Sequence, residues 1–96
     1  MRIQKAIKDK RREILRITAN HGAENVRVFG SAARGDAGPN SDLDILIKLA
    51  PGRTLLDIIA IKQDLQDLLG CDVDVVTEAS ISPHIKEQVL KEAASL

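Results

Sequence analysis

The run DLDILIKL, residues 42 to 49, commits the chain to a sheet with one dry face. In an extended strand, residues two apart share a face. Leu43, Ile45 and Ile47 therefore point to one side, and Asp42 and Asp44 point together to the other, about 7 Å apart at Cα. The apolar side needs a cover, and the flanking sequence offers helices for it. Over residues 2 to 20, Ile3, Ile7, Ile14 and Ile17, with Ala6 alongside, fall near one helical face, and His21-Gly22 closes that element. The helix LLDIIAIKQDLQDLL opens on Thr54 with Asp57, a capping-box pair, and Gly70 ends it. Ser82 and Pro83 open a last helix, HIKEQVLKEAA, in which Ile85, Val89 and Leu90 are expected to face inward. VRVFG and DVDVVT read as two further strands. SAARGD makes one or two helical turns from Ser31, and AGPN and APGR are turn chemistry. The order α-β-α-β-α-β-α predicts an α/β (α+β) fold, a small mixed β-sheet packed on helices, as a single domain over residues 1–96.

Composition removes several classes of function. An apolar content of 44% with mixed charge suits a modest folded core. The lone Cys71 has no partner for an internal disulfide, and the charged start MRIQKAIKDKRREILR has no apolar stretch of the signal-peptide kind, so no membrane association and a cytoplasmic location are expected. The net charge of zero hides an asymmetry. Seven basic side chains against Asp9 and Glu13 give residues 1 to 22 a net +5, which the remaining residues balance with −5. That basic face reads as solvated, with docking of an acidic partner as the rarer alternative. Phe29 is the one aromatic residue, so the stacking platforms of a single-strand binder are missing and direct nucleic-acid binding is not expected. His21 and His84 have no carboxylate or Cys companions at ligand spacing and read as helix-end residues.

The chemistry concentrates between residues 30 and 74. Asp74 alternates with Val73 and Val75 on the third strand, and a neighbouring strand lies about 4.8 Å away, so it can join Asp42 and Asp44. Close carboxylates repel one another unless a proton or a cation sits among them. With no His or Cys nearby, a hard divalent ion is expected, Mg²⁺ before Zn²⁺. Gly30-Ser31, where a strand runs into a short helix, supplies unpaired backbone N–H groups, close approach and a hydroxyl, which together suit a phosphate. Carboxylates facing a phosphate cradle are the parts that two-metal phosphoryl or nucleotidyl transfer requires. Neither Gly-x-Gly-x-x-Gly after a strand nor Gly-Lys-Ser/Thr occurs, which excludes a Rossmann dinucleotide site and a P-loop.

Gly30-Ser31, ten residues, then Asp42-x-Asp44, with Asp74 on a later strand, resembles the nucleotidyltransferase superfamily that includes DNA polymerase beta. VFGSAARGD, SDLDILI, DVDVVT and IKEQVLKEA look like its smallest members, the minimal nucleotidyltransferase (MNT) antitoxins paired with HEPN toxins, over about residues 24 to 93. The resemblance implies a palm-like nucleotidyltransferase fold. It also implies transfer of AMP from ATP to a hydroxyl, that of a tyrosine, on a HEPN ribonuclease toxin held in a hetero-oligomer. Carried over by position, Asp42 and Asp44 would hold two Mg²⁺ ions. Asp74 would complete the catalytic ion site and assist loss of the attacking proton. Gly30 and Ser31 would hold the β- and γ-phosphates, with Arg34 as a further phosphate contact.

The chain departs from the pattern in three places. Larger relatives carry a helical acceptor-recognition domain with no counterpart here, so the acceptor is expected to bring its own recognition surface. Asn40 stands where many relatives have a basic residue. Asp72 forms a second Asp-x-Asp with Asp74 and leaves the register of the third carboxylate open. A different class of function also remains: a binding-only antitoxin that occludes its partner while the aspartates merely bind ATP or metal.

Overall fold

The computed structural model describes residues 3–30 and 43–96, and the expectations for Ser31, Arg34, Asn40, Asp42 and the helical turn of SAARGD lie outside that range. The helical stretch expected over 2 to 20 is two helices, α1 (Ile3–Asp9) and α2 (Arg11–Asn20), parted at Lys10, whose φ of −112° and ψ of 20° leave the helical region. The break keeps Ala6 and Ile14 both buried, and Lys10 uses its own Nζ to reach the carbonyl oxygen of Leu68, 3.2 Å away.

Strand β1 (Ala23–Phe29) runs antiparallel to β2 (Leu43–Leu49), and β2 runs parallel to β3 (Val73–Thr77). Helix α3 (Leu55–Leu69) makes the crossover between the parallel pair. Thr54 Oγ1 accepts from the N–H of Leu56 at 3.2 Å and the Thr54 N–H donates to Asp57 Oδ2 at 3.0 Å, while Gly70 closes the helix at φ +69°, as the expected caps require. After β3 come a single 3-10 turn (Glu78–Ser80), α4 (Pro83–Glu92) and the two-residue strand β4 (Ala94–Ser95). Strand β4 pairs antiparallel with β1, giving the sheet order β3-β2-β1-β4. The mixed sheet on helices is the expected fold class, and β4 is an addition to it.

Leu43, Ile45 and Ile47 are fully buried against Ile14 of α2 and Ile61 and Leu65 of α3, so the dry face of β2 is the one its alternation indicates. The last helix corrects an expectation. No residue of α4 is buried, and Ile85 and Leu90 are 51% and 36% exposed. The strand order accounts for this: β3 and β4 lie at opposite edges of the sheet, so α4 connects edge to edge, and none of its residues joins the core cluster. Helix α4 thus has no share in the core that α2 and α3 cover.

Candidate functional site

The register builds the site from three strands. Phe29 of β1 stands opposite Asp44 of β2, and Asp44 stands opposite Asp74 of β3, so the three side chains form one transverse row on one face. Neighbouring strands put the two carboxylate-bearing Cα atoms about 4.8 Å apart. Asp44 is half-buried and Asp74, on the sheet edge, is exposed. Two of the three expected carboxylates are therefore neighbours, and Asp72, the alternative for the third, lies one residue before β3, where its carbonyl accepts from the Leu43 N–H at 2.9 Å.

Gly30 ends β1 beside this row. Its φ of +72° favours glycine, and a Cβ placed there would stand 2.5 Å from Oδ2 of Asp44. The carboxylate of Asp44 thus leans over the bare α-carbon of Gly30, at the point where the Gly-Ser turn begins. The backbone expected to receive phosphate and a carboxylate of the kind that holds a metal thus meet without a side chain between them. The oxygen-only donors Asp44 and Asp74 fit a hard divalent cation. Among the described residues no group of three His, Cys, Asp or Glu side chains assembles, so a fuller ligand set needs a residue outside them.

A second row lies one pleat away on the same face: Arg27, Leu46 and Val76. Simple alternation would put Ala23, Asn25 and Arg27 together. A bulge between Glu24 and Arg27, with Asn25 at φ +54°, instead turns Ala23, Val26 and Val28 to the core and swings Arg27 to the carboxylate face. From there Arg27 Nη2 reaches Glu78 Oε1 at 2.9 Å, across β2, with only 14% of the arginine side chain exposed. The Arg27 guanidinium, by its donor groups and then its charge, holds the Glu78 carboxyl below its ordinary range against desolvation, with Lys48 and Lys86 adding to it. Leu46, beneath this arm, is fully buried although it shares the face of Asp44. Sequence reading misses Arg27, and the only signal for it is the unpatterned AEN preceding VRVF, the place of the bulge.

On the back of the sheet, His21 acquires acidic neighbours that its sequence surroundings do not show. Nδ1 stands 3.6 Å from Asp57 Oδ1 and Nε2 stands 3.4 Å from Asp64 Oδ2, with Arg53 Nη1 also 3.6 Å from Asp57 Oδ1. This network joins the end of α2 to the start of α3 and lies on the far side from the carboxylate row. Cys71 is partly buried against the core, in keeping with a small apolar role.

Comparison with known proteins agrees with this arrangement. The family model of the nucleotidyltransferase domain matches residues 6–96. A protein of Methanocaldococcus jannaschii named as a candidate protein adenylyltransferase is 39% identical over 90 residues, which cover 94% of this chain and 97% of that one. The protein adenylyltransferase MntA of Thermococcus cleftensis is 39% identical over 71 residues, covering 74% of this chain and 72% of its own. A solved structure described as a candidate minimal nucleotidyltransferase superposes with a TM-score of 0.89 at 47% identity, covering 97% of this chain and 95% of its own. A toxin-antitoxin crystal structure with AMP-PNP gives 0.75 at 26% identity, covering 88% of this chain and 69% of the matched one. With a matching family model over nearly its full length, a carboxylate pair beside a glycine turn and the fold to hold them, this chain is an enzyme of the nucleotidyltransferase domain family, alongside its minimal members.

Proposed function

We propose that this protein transfers AMP from ATP, with Mg²⁺, to a tyrosine hydroxyl of a partner HEPN ribonuclease toxin in the cytoplasm, and so acts as its antitoxin. The observation that carries the reading is the row in which Asp44 and Asp74 stand side by side with Gly30 bare beneath Asp44. The relatives named as protein adenylyltransferases and the matched toxin-antitoxin structure with a nucleotide analogue support the substrate and the kind of partner.

In this reading Asp42 and Asp44 hold two Mg²⁺ ions, with Asp74 completing the catalytic ion site. When bound, the ions neutralise charge on the triphosphate and on the attacking and leaving oxygens. The backbone at Gly30 and Ser31 receives the β- and γ-phosphates, and Arg34 adds a phosphate contact. The tyrosine oxygen attacks the α-phosphorus, the bond from that phosphorus to the bridging oxygen breaks, and pyrophosphate leaves. Asp74 eases the hydroxyl proton away as the new P–O bond forms. The exposed edge position of Asp74 keeps it open to an acceptor side chain brought by another protein.

An interaction needed chiefly in the transition state changes rate more than affinity. Asp74→Asn is therefore expected to bind ATP·Mg²⁺ within several-fold of wild type in calorimetric titration. It should also lose roughly two orders of magnitude in transfer rate, a barrier rise of about 2.7 kcal/mol. Asp72→Asn should stay active. An active Asp74→Asn beside an inactive Asp72→Asn would move the third carboxylate to position 72.

A further inference from the structure

Strand β3 carries a degenerate address. Its approach reads Cys71-Asp72-Val73-Asp74-Val75, so a slip of two residues would set Cys71 opposite Leu43, Asp72 opposite Asp44 and Val73 opposite Ile45. The residue types facing the core would barely change and Asp44 would still face an aspartate, although Asp74 would come to stand opposite Leu46. Alternation alone excludes a slip of one residue, which turns every side chain over, but not a slip of two. Strand β3 is also an edge, paired only with β2 among the described residues. The register that puts Asp74 beside Asp44 must be held by something outside the pattern.

Two contacts bracket Asp74 and can do so. At the near end, the Val73 N–H donates to Gln66 Oε1 of α3 at 3.3 Å. At the far end, Arg27 reaches from β1 over Leu46 to Glu78, one residue past the end of β3. A two-residue slip would carry Glu78 about 6.6 Å along the strand axis, out of contact with the guanidinium. We propose that Arg27 is a positioning residue whose ion pair with Glu78 locks the register of β3, so that Asp74 and not Asp72 is presented to the site. The role in transfer rests on the adenylyltransferase reading, whereas the register itself does not.

The test uses the whole chain with its co-expressed partner and ATP·Mg²⁺. Arg27→Gln and Glu78→Gln should each lower kcat for transfer by about ten-fold or more while the KM for ATP·Mg²⁺ stays within about two-fold, the split expected of a misplaced transition-state group. The charge exchange, Arg27→Glu with Glu78→Arg, should restore kcat to within about three-fold of wild type, as expected if the two residues act as a pair. Cross-strand nuclear Overhauser contacts between Ile45 and Val75 read the register directly and need no activity. They should weaken or shift to Val73 in each single variant and return in the exchange. Wild-type kcat in both single variants, an exchange no better than either one, or unaltered Ile45 to Val75 contacts in both would overturn the proposal. A wild-type chain inactive toward its partner would refute the transfer reading while the contacts still decide the register.

Discussion

At the scale of residues, Gly30 is the position where backbone freedom and chemistry coincide. Its φ of +72° and the 2.5 Å approach of a built Cβ to Asp44 Oδ2 are independent reasons for glycine. Gly30→Ala should cost about 1–2 kcal/mol from the left-handed backbone alone, read as a lowered denaturant midpoint. It should also push the Asp44 carboxylate aside, so transfer falls by more than the fraction unfolded accounts for. Wild-type activity in a folded Gly30→Ala would show that Asp44 need not lean over this position. The sequence displays Gly30, Asp44 and Asp74 plainly, because a carboxylate inside an apolar alternation is a local conflict that burial does not explain. Arg27 is hidden, since its orientation depends on a bulge two residues upstream that alternation cannot register.

At the scale of elements, local chemistry is legible where one segment decides it. The Thr54-Asp57 box, the Gly70 stop and the Ser82-Pro83 start all lie where their residue types put them. The inward face expected for α4 fails because burial depends on where a connection between the two sheet edges runs, which its own residues do not encode. Ile61→Ala, at a fully buried site on α3, should cost about 2–5 kcal/mol, and Ile85→Ala, 51% exposed on α4, should change stability by less than about 0.5 kcal/mol. Equal losses in chemical denaturation would mean that α4 is part of the core after all. The short β4 escapes sequence reading for a simpler reason: two residues, Ala94 and Ser95, carry no periodicity. The α2–α3 junction adds a pH dependence. The Asp57 carboxyl is held below its ordinary 3.8 by the Thr54 N–H first, against desolvation, and then by Arg53 and His21. A carboxyl with a lowered folded pKa adds stability that is fully present above the ordinary value and is lost as pH falls through the folded one. The thermal midpoint of wild type should therefore exceed that of Asp57→Asn at neutral pH, with the gap closing below about pH 3.8. A gap that stays constant on acidification would remove the charge of Asp57 from the account.

At the scale of the whole molecule, the two faces of one sheet divide the labour. Helices α2 and α3 seal the core on one side, and among the described residues no helix is long and apolar enough to cross a membrane. The other side carries the carboxylate row, open at the β3 edge among the described residues, with the Arg27 to Glu78 arm crossing that face one pleat away. Sequence reading reaches the fold class because its strands and helices are separated by clear punctuation. It does not reach the strand order, because an edge strand of two residues carries no pattern of its own and its pairing is set by the fold as a whole. An open edge suits an acceptor that arrives as part of another folded protein, and this is the claim most worth testing. The direct measurement is the intact and peptide mass of the proposed toxin partner after co-expression with wild-type protein and, separately, with Asp44→Asn. The account predicts a partner heavier by one adenylyl group, on a tyrosine, with wild type and an unmodified partner with Asp44→Asn. A partner that is neutralised yet unmodified by wild type, or modified equally by both, would contradict it.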